Sequence, residues 1–208
     1  MALTCFAIVA ATLTAAAADR PVRIVMLGDS IAAGLGLPVG EALPAKLEKA
    51  LKAKGLNVTV ENAGVSGDTP AGGLARLDWS VAEGTDAVIV ELGANDALRG
   101  ADPKLTRAAL DAIIRKLKER KIAVLLTGML APRNFGPDYV AAFDKIYPEL
   151  AAAHGVLLYP FLLDGIAGEA ALNQPDGIHP NAAGVDALVK GLTPKAEELV
   201  LRVKLGMR

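Results

Sequence analysis

"VRIVMLGDSIAAGLGL", Val22 to Leu37, joins a short apolar run to a turn punctuated by glycine. Val22–Leu27 is short and strongly apolar, the character of a central parallel strand covered on both faces. It breaks into Gly28, Asp29 and Ser30, and Gly34 and Gly36 follow. A strand ending in such a turn presents either phosphate-binding amides or a nucleophile.

Beyond this stretch the chain alternates between short β-type runs and helical patterns. The further β-type runs are Asn57–Glu61, Asp86–Leu92, Ile122–Thr127 and Val156–Tyr159. "RIVML", "DAVIVEL" and "IAVLL" are almost continuously apolar. Between them, "EALPAKLEKALKAKG" sets Leu43, Leu47, Ala50 and Leu51 on one stripe and stops at Gly55. "DPKLTRAALDAIIRKLKERK" offers Asp102 as an N-cap and Pro103 at the first helical position, with Leu105, Ala109, Ile113 and Leu117 along one face. One helix is expected from Pro137 to Ala153 and another from Ala182 to about Val203. Strand–helix alternation with right-handed crossovers predicts a three-layer α/β/α sandwich around a five-stranded parallel sheet. Active residues in such sheets gather at the carboxyl ends of the strands. Ser30, the segment Gly64–Asp68, Asn95 and the loop after Gly128 all fall at such ends.

Composition narrows the function. The chain has 208 residues, with 22 basic against 23 acidic side chains. This balance leaves no electrostatic footprint for nucleic acid or an anionic membrane. "MALTCFAIVAATLTAAAADR" is apolar from Ala2 to Leu13 and ends in small residues, as a secretory signal with an Ala-x-Ala site does. Residues 1–18 are therefore expected to be cleaved, leaving 19–208 as a single domain, although no Lys or Arg precedes the apolar run. An uncleaved anchor is the alternative, but the segment is at the short limit for a bilayer span. Cys5 is the only cysteine, so the mature chain would have neither a disulfide nor a thiol nucleophile.

The phosphate alternatives fail on spacing. A P-loop needs a lysine after its last glycine, and none follows Gly34 or Gly36. Gly34, Gly36 and Gly40 miss the dinucleotide fingerprint by one position. The elbow G-x-S-x-G is absent as well, because Asp29 directly precedes Ser30. A serine after a strand can simply cap a helix; reactivity requires a base and a group that orients the base. Only two histidines exist. His154 ends a helix before Gly155, where histidines commonly meet terminal carbonyls, and is assigned a structural role. His179 lies in "QPDGIHPN", three positions after Asp176. In that loop the carboxylate either orients the imidazole towards a serine or forms an Asx-type turn beside a solvated histidine. The loop alone leaves both open. With two histidines and one cysteine, no structural or catalytic zinc site is expected.

Taken together these blocks resemble the SGNH, or GDSL, hydrolases, and within them the bacterial periplasmic thioesterase/lysophospholipase/arylesterase group. "GDSIAAGLG" resembles the first family block, "NAGVSGDT" the second, "LGANDALRG" the third and "DGIHPN" the last; "GLARL" (Gly73–Leu77) and "YPELA" (Tyr147–Ala151) also resemble this group. The resemblance covers nearly the whole mature chain. Isoleucine stands at 31 where leucine is usual, and Leu35 where an aromatic residue often sits, which bears on the acyl pocket. The resemblance implies a flavodoxin-like fold and a catalytic triad of Ser30, Asp176 and His179. It also implies an oxyanion hole from the Ser30 N–H, Gly67 and the Asn95 amide. Glycine at 67 would let a backbone N–H approach closely. Asp29, Asp68 and Asp96 are expected to tie down their loops.

The implied activity is hydrolysis of carboxylic esters or thioesters without cofactor or metal. The expected partner is a small-molecule or lipid acyl ester, with no nucleic acid and no stable membrane insertion after signal cleavage. The protein is expected to act as a monomer in the periplasm or outside the cell. A carbohydrate O-deacetylase is the enzymatic alternative, disfavoured by the 4% aromatic content; a binding-only descendant is the alternative from another class. Pocket walls are expected around Leu98–Asp102, Ala131–Tyr139 and Phe161–Pro175.

Overall fold

Strands β1 (Val22–Gly28), β2 (Val58–Gly64), β3 (Ala87–Glu91), β4 (Ala123–Thr127) and β5 (Leu157–Tyr159) form one parallel sheet in the order β2-β1-β3-β4-β5. These elements come from a computed structural model that describes residues 20–207, so the expected signal at 1–18 lies outside the described residues. β3 and β4 are buried along their whole length, and β1 is buried except at Arg23, as the apolar runs require. β2 runs three residues beyond its expected end at Glu61, because Asn62, Ala63 and Gly64 continue the pairing with Met26, Leu27 and Gly28. An edge strand tolerates the exposed Asn62 that a central strand would not.

Nine α-helices are described: α1 (Ser30–Ala33), α2 (Leu43–Ala53), α3 (Pro70–Ala75), α4 (Leu77–Ser80), α5 (Ala94–Arg99), α6 (Pro103–Glu119), α7 (Pro137–Asp144), α8 (Ile146–His154) and α9 (Ala182–Lys204). α2 packs on α9, which lies against β4 and β5; α3, α6 and α8 form the other layer. Among the described residues no helix is long and apolar enough to cross a membrane.

α6 shows how sequence sets packing, and where the expected stripe was wrong. The Asp102 carboxylate accepts from the Lys104 N–H, and Pro103 sits where its missing N–H costs nothing. The buried face is Thr106, Ala109, Leu110, Ile113, Ile114 and Leu117. Burying each of these Leu and Ile side chains contributes roughly 1.5–3 kcal/mol. Leu105 is 68% exposed, not on the core face. Each i+4 step rotates a side chain by about 40°, so a row centred on Ile113 and Leu117 has left the core by its first turn.

The helix expected over Pro137–Ala153 is two helices, α7 and α8, broken at Lys145. Pro148 is the cause. It has no N–H for the Asp144 carbonyl, and its ring would clash with that carbonyl in a continuous helix.

The chain enters the sheet at β1, turns to β2 on one side, and then builds β3, β4 and β5 on the other. The strand order therefore reverses between β1 and β3, the kind of crevice where parallel sheets place their ligands. Gly28 stands level with Gly64 and Glu91, so three strand ends meet there.

Candidate active site

Ser30 follows β1 with only Asp29 between them, and α5, which carries Asn95, follows β3. Asp29 caps the short helix α1, its Oδ1 accepting from the Ile31 N–H at 3.1 Å. This cap places Ser30 at the first helical position, buried, with its own N–H free of the helix ladder.

The Ser30 hydroxyl meets His179 Nε2 at 2.8 Å. On the other side of the ring, Nδ1 lies 2.6 Å from Asp176 Oδ2. Asp176 Oδ1 meanwhile accepts from the N–H groups of Ile178 (2.9 Å) and His179 (3.0 Å). The Asx-type turn forms, but the histidine beside it is not left to solvent: one carboxylate oxygen closes the turn and the other meets the imidazole. Those backbone N–H bonds, with the imidazole, hold the Asp176 carboxyl down at about 2. An ionised carboxylate only accepts, so Nδ1 donates to it, and a neutral ring then offers its Nε2 lone pair to the serine O–H.

Asn95 donates through Nδ2 to Asp29 Oδ2 (3.2 Å) and to the Asp68 carbonyl (3.0 Å). Gly67 has φ +82°, a left-handed conformation that favours glycine. A Cβ there would meet nothing closer than the Arg99 guanidinium at 3.8 Å. The left-handed φ by itself favours glycine at this position, and no protein atom crowds it. Among the described residues no acceptor receives the Ser30 or the Gly67 N–H.

Ser30, Asn95 and His179 line a cavity of about 490 Å³. Its other walls are mostly apolar and include Ile31, Leu98, Met129, Pro132, Phe161 and Leu163. All three expected wall segments contribute to it, while Gly67 does not line it. His154 is remote: its Nε2 lies 2.7 Å from Asp111 Oδ1 on α6, so its partner is a side chain and not the helix-terminal carbonyls expected.

Two residues that the sequence did not single out hold the site from behind. Glu91, the last residue of β3, is fully buried, and its Oε2 accepts from the Asp29 (3.1 Å) and Ala32 (3.2 Å) N–H groups that bracket Ser30. Burial pushes the Glu91 carboxyl well above its ordinary range; burial also raises neighbouring Asp29, to about 6. A carboxylate closing an otherwise apolar strand, "AVIVE", was the available signal. Arg76 is also buried; its Nε donates to Asp68 Oδ2 at 2.7 Å and its Nη2 to the Gly28 carbonyl at 3.0 Å. Asp96 accepts from the Thr106 hydroxyl at 2.9 Å. Asp29, Asp68 and Asp96 each bind their surrounding loops. Among the described residues no three His, Cys, Asp or Glu side chains cluster to hold a metal ion.

The sequence model of the GDSL-like lipase/acylhydrolase family matches residues 26–187. The chain belongs to this family. Esterase TesA of Pseudomonas aeruginosa is 40% identical over 197 residues, 94% of this chain and 96% of that protein. Thioesterase 1/protease 1/lysophospholipase L1 of Escherichia coli K12 is 37% identical over 190 residues, 91% and 88% of the two chains. A crystal structure of TesA superposes with a TM-score of 0.81 at 40% identity, covering 85% of this chain and 99% of the other. As a GDSL family member the chain is an acylhydrolase-type enzyme, and its sheet and helices are those of the SGNH hydrolases.

Proposed function

We propose that this protein is a serine esterase that hydrolyses carboxylic esters or thioesters through an acyl-enzyme. The observation that carries the reading is the hydrogen-bonded series Ser30–His179–Asp176 at the wall of an apolar cavity. Ser30 Oγ attacks the acyl carbonyl while His179 Nε2 takes its proton, and Asp176 stabilises the resulting imidazolium. The tetrahedral oxyanion is received by the free N–H groups of Ser30 and Gly67 and by the Asn95 amide. Collapse expels the alcohol or thiol, which takes the proton from His179. Water, deprotonated by the same imidazole, then attacks the acyl-enzyme, and the second collapse releases the acid while Ser30 Oγ takes the proton back from His179.

The apolar cavity suits an acyl chain better than a sugar, and the names of the relatives, an arylesterase of Vibrio mimicus among them, agree with aryl esters, acyl thioesters and lysophospholipids as substrates. In the same reading residues 1–18 are a secretory signal, 19–208 form one domain, and the enzyme is a periplasmic or secreted monomer.

Hydrolysis of p-nitrophenyl esters and acyl-CoA thioesters of graded length, with active-site titration by a fluorophosphonate, is the test. Ser30→Ala should lose labelling and hydrolysis while staying folded, His179→Ala should be nearly as damaging, and His154→Ala should retain activity. Substantial turnover by Ser30→Ala, or a reversal of the two histidine results, overturns the assignment.

A further inference from the structure

The loop that carries Asp176 and His179 is exposed from residue 175 to residue 178, yet its imidazole must stay within hydrogen-bond distance of a serine on a different element. Three side-chain amides hold this region, and each donates both of its hydrogens to backbone carbonyls. Asn173 donates to Ile166 (2.7 Å) and Glu169 (2.9 Å). Asn181 donates to Ala171 (2.9 Å) and Asn173 (3.1 Å). Both act within the segment. Gln174 differs: its Nε2 donates to Pro180 in the loop (3.0 Å) and also to Leu35 (2.7 Å), 139 residues away in the turn that follows Ser30.

Each end of this bridge is tied to a reacting residue. The Leu35 N–H donates to the Ser30 carbonyl at 3.0 Å, and the Gln174 backbone N–H donates to the His179 carbonyl at 2.7 Å. Among the described residues, the only other hydrogen bond between segments 30–37 and 173–181 is Ser30–His179 itself. The turn is also shaped to admit the bridge. Gly36 lies at φ +77°, and a Cβ there would overlap the Gln174 amide oxygen.

We infer that Gln174 is a positioning residue that sets the distance between Ser30 and His179 by clamping the acid–base loop to the nucleophile's turn. This rests on the serine-esterase reading above. The bridge acts on geometry only: Gln174 is absent from the cavity wall. Because a misplacement of about 1 Å can cost roughly 10²-fold in rate, loss of the clamp should appear in kcat and not in substrate affinity. The side chain must be an amide. Both of its partners are carbonyl oxygens, so a carboxylate of the same shape would offer no hydrogen and would face two acceptors.

The test measures kcat and KM per fluorophosphonate-titrated site, the labelling rate, and thermal unfolding for Gln174→Ala and Gln174→Glu. Gln174→Ala is expected to lower kcat and the labelling rate in parallel by about 10- to 100-fold, with KM within about twofold. Gln174→Glu should be worse than alanine at pH 8. It should recover relative to wild type as the pH falls towards 5, where a protonated glutamate regains one donor. The glutamate variant keeps the side chain's shape, so its pH-dependent ratio to wild type decides the matter if the alanine variant does not fold. A Gln174→Ala kcat within twofold of wild type, a change confined to KM or to unfolding temperature, or a pH-independent Gln174→Glu ratio overturns the inference. Inactive wild-type protein overturns instead the esterase reading on which it rests.

Discussion

Asn95→Ala separates a donor in the reaction from a residue that only shapes its turn. In the resting structure both Asn95 amide hydrogens are occupied, one by the Asp29 carboxylate and one by the Asp68 carbonyl. Serving an oxyanion requires one of them to swing away. Removing an oxyanion-hole donor typically costs about 2.7–4 kcal/mol in kcat. Giving up one neutral hydrogen bond offsets roughly 1 kcal/mol of that benefit. The expected net loss is therefore about 1.7–3 kcal/mol, a fall in kcat of about 20- to 150-fold, with KM little changed.

The same substitution carries a structural cost that has its own signature. Asp29 is 1% exposed, and the bond from Asn95 lowers its carboxyl, opposing the effect of burial. Without that bond the ionised form is less favoured, so Asn95→Ala should destabilise the fold more at pH 8 than at pH 5. Loss of these bonds is worth about 1–3 kcal/mol of stability. kcat per titrated site, measured alongside unfolding at both pH values, keeps the two effects apart. Normal turnover per titrated site would remove Asn95 from the mechanism and leave the oxyanion to the Ser30 and Gly67 amides.

Glu91 and Asp29 both have carboxyls raised by burial, so the folded state binds more protons than the unfolded one. Their contribution to stability therefore falls as pH rises from the ordinary carboxyl range, through about 6 for Asp29 and through the raised range of Glu91. Glu91→Gln keeps an oxygen for the Asp29 and Ala32 N–H groups and removes one titration. Its unfolding temperature relative to wild type should rise between pH 5 and pH 8; parallel curves would refute the linkage. At the N-terminus, protein recovered after export should lack residues 1 to about 18 by mass spectrometry, and exported protein with Met1 intact refutes the signal assignment.

The parts of the candidate site that lie next to a strand in sequence were legible from the residues alone. Ser30 and Asn95 follow strands apolar enough to be recognised as central, and strand ends in a parallel sheet converge. His179 stood out through scarcity, because only one other histidine exists. Contacts closed across the fold were not legible. Glu91 meets the Asp29 N–H 62 residues away, and Gln174 meets Leu35 across 139; no local pattern encodes either pairing. Gly67 was identified as a glycine position, but its cause, a left-handed φ, emerges only from the backbone. The break between α7 and α8 is a different kind of failure. Pro148 announced it four residues ahead, and the apolar periodicity on either side concealed it.

The hydrogen bonds also show how four short blocks are brought together at one candidate site. Arg76 joins the Gly28 carbonyl to the Asp68 carboxylate, and the Asp68 carbonyl accepts from Asn95. Asn95 also donates to Asp29, whose N–H reaches Glu91, the residue standing opposite Gly28 in the sheet. The ends of β1, β2 and β3 are thus tied into a closed ring, largely buried, with Ser30 held against it by its own flanking amides. The block carrying Asp176 and His179 lies outside that ring and joins it through Ser30–His179 and the Gln174 bridge. Substitutions within the ring should consequently move stability and turnover together, because its polar groups are buried and each leaves partners unpaired. Substitutions in the outer loop should move turnover with less effect on global unfolding, since its backbone is exposed and its opening does not require the sheet to part.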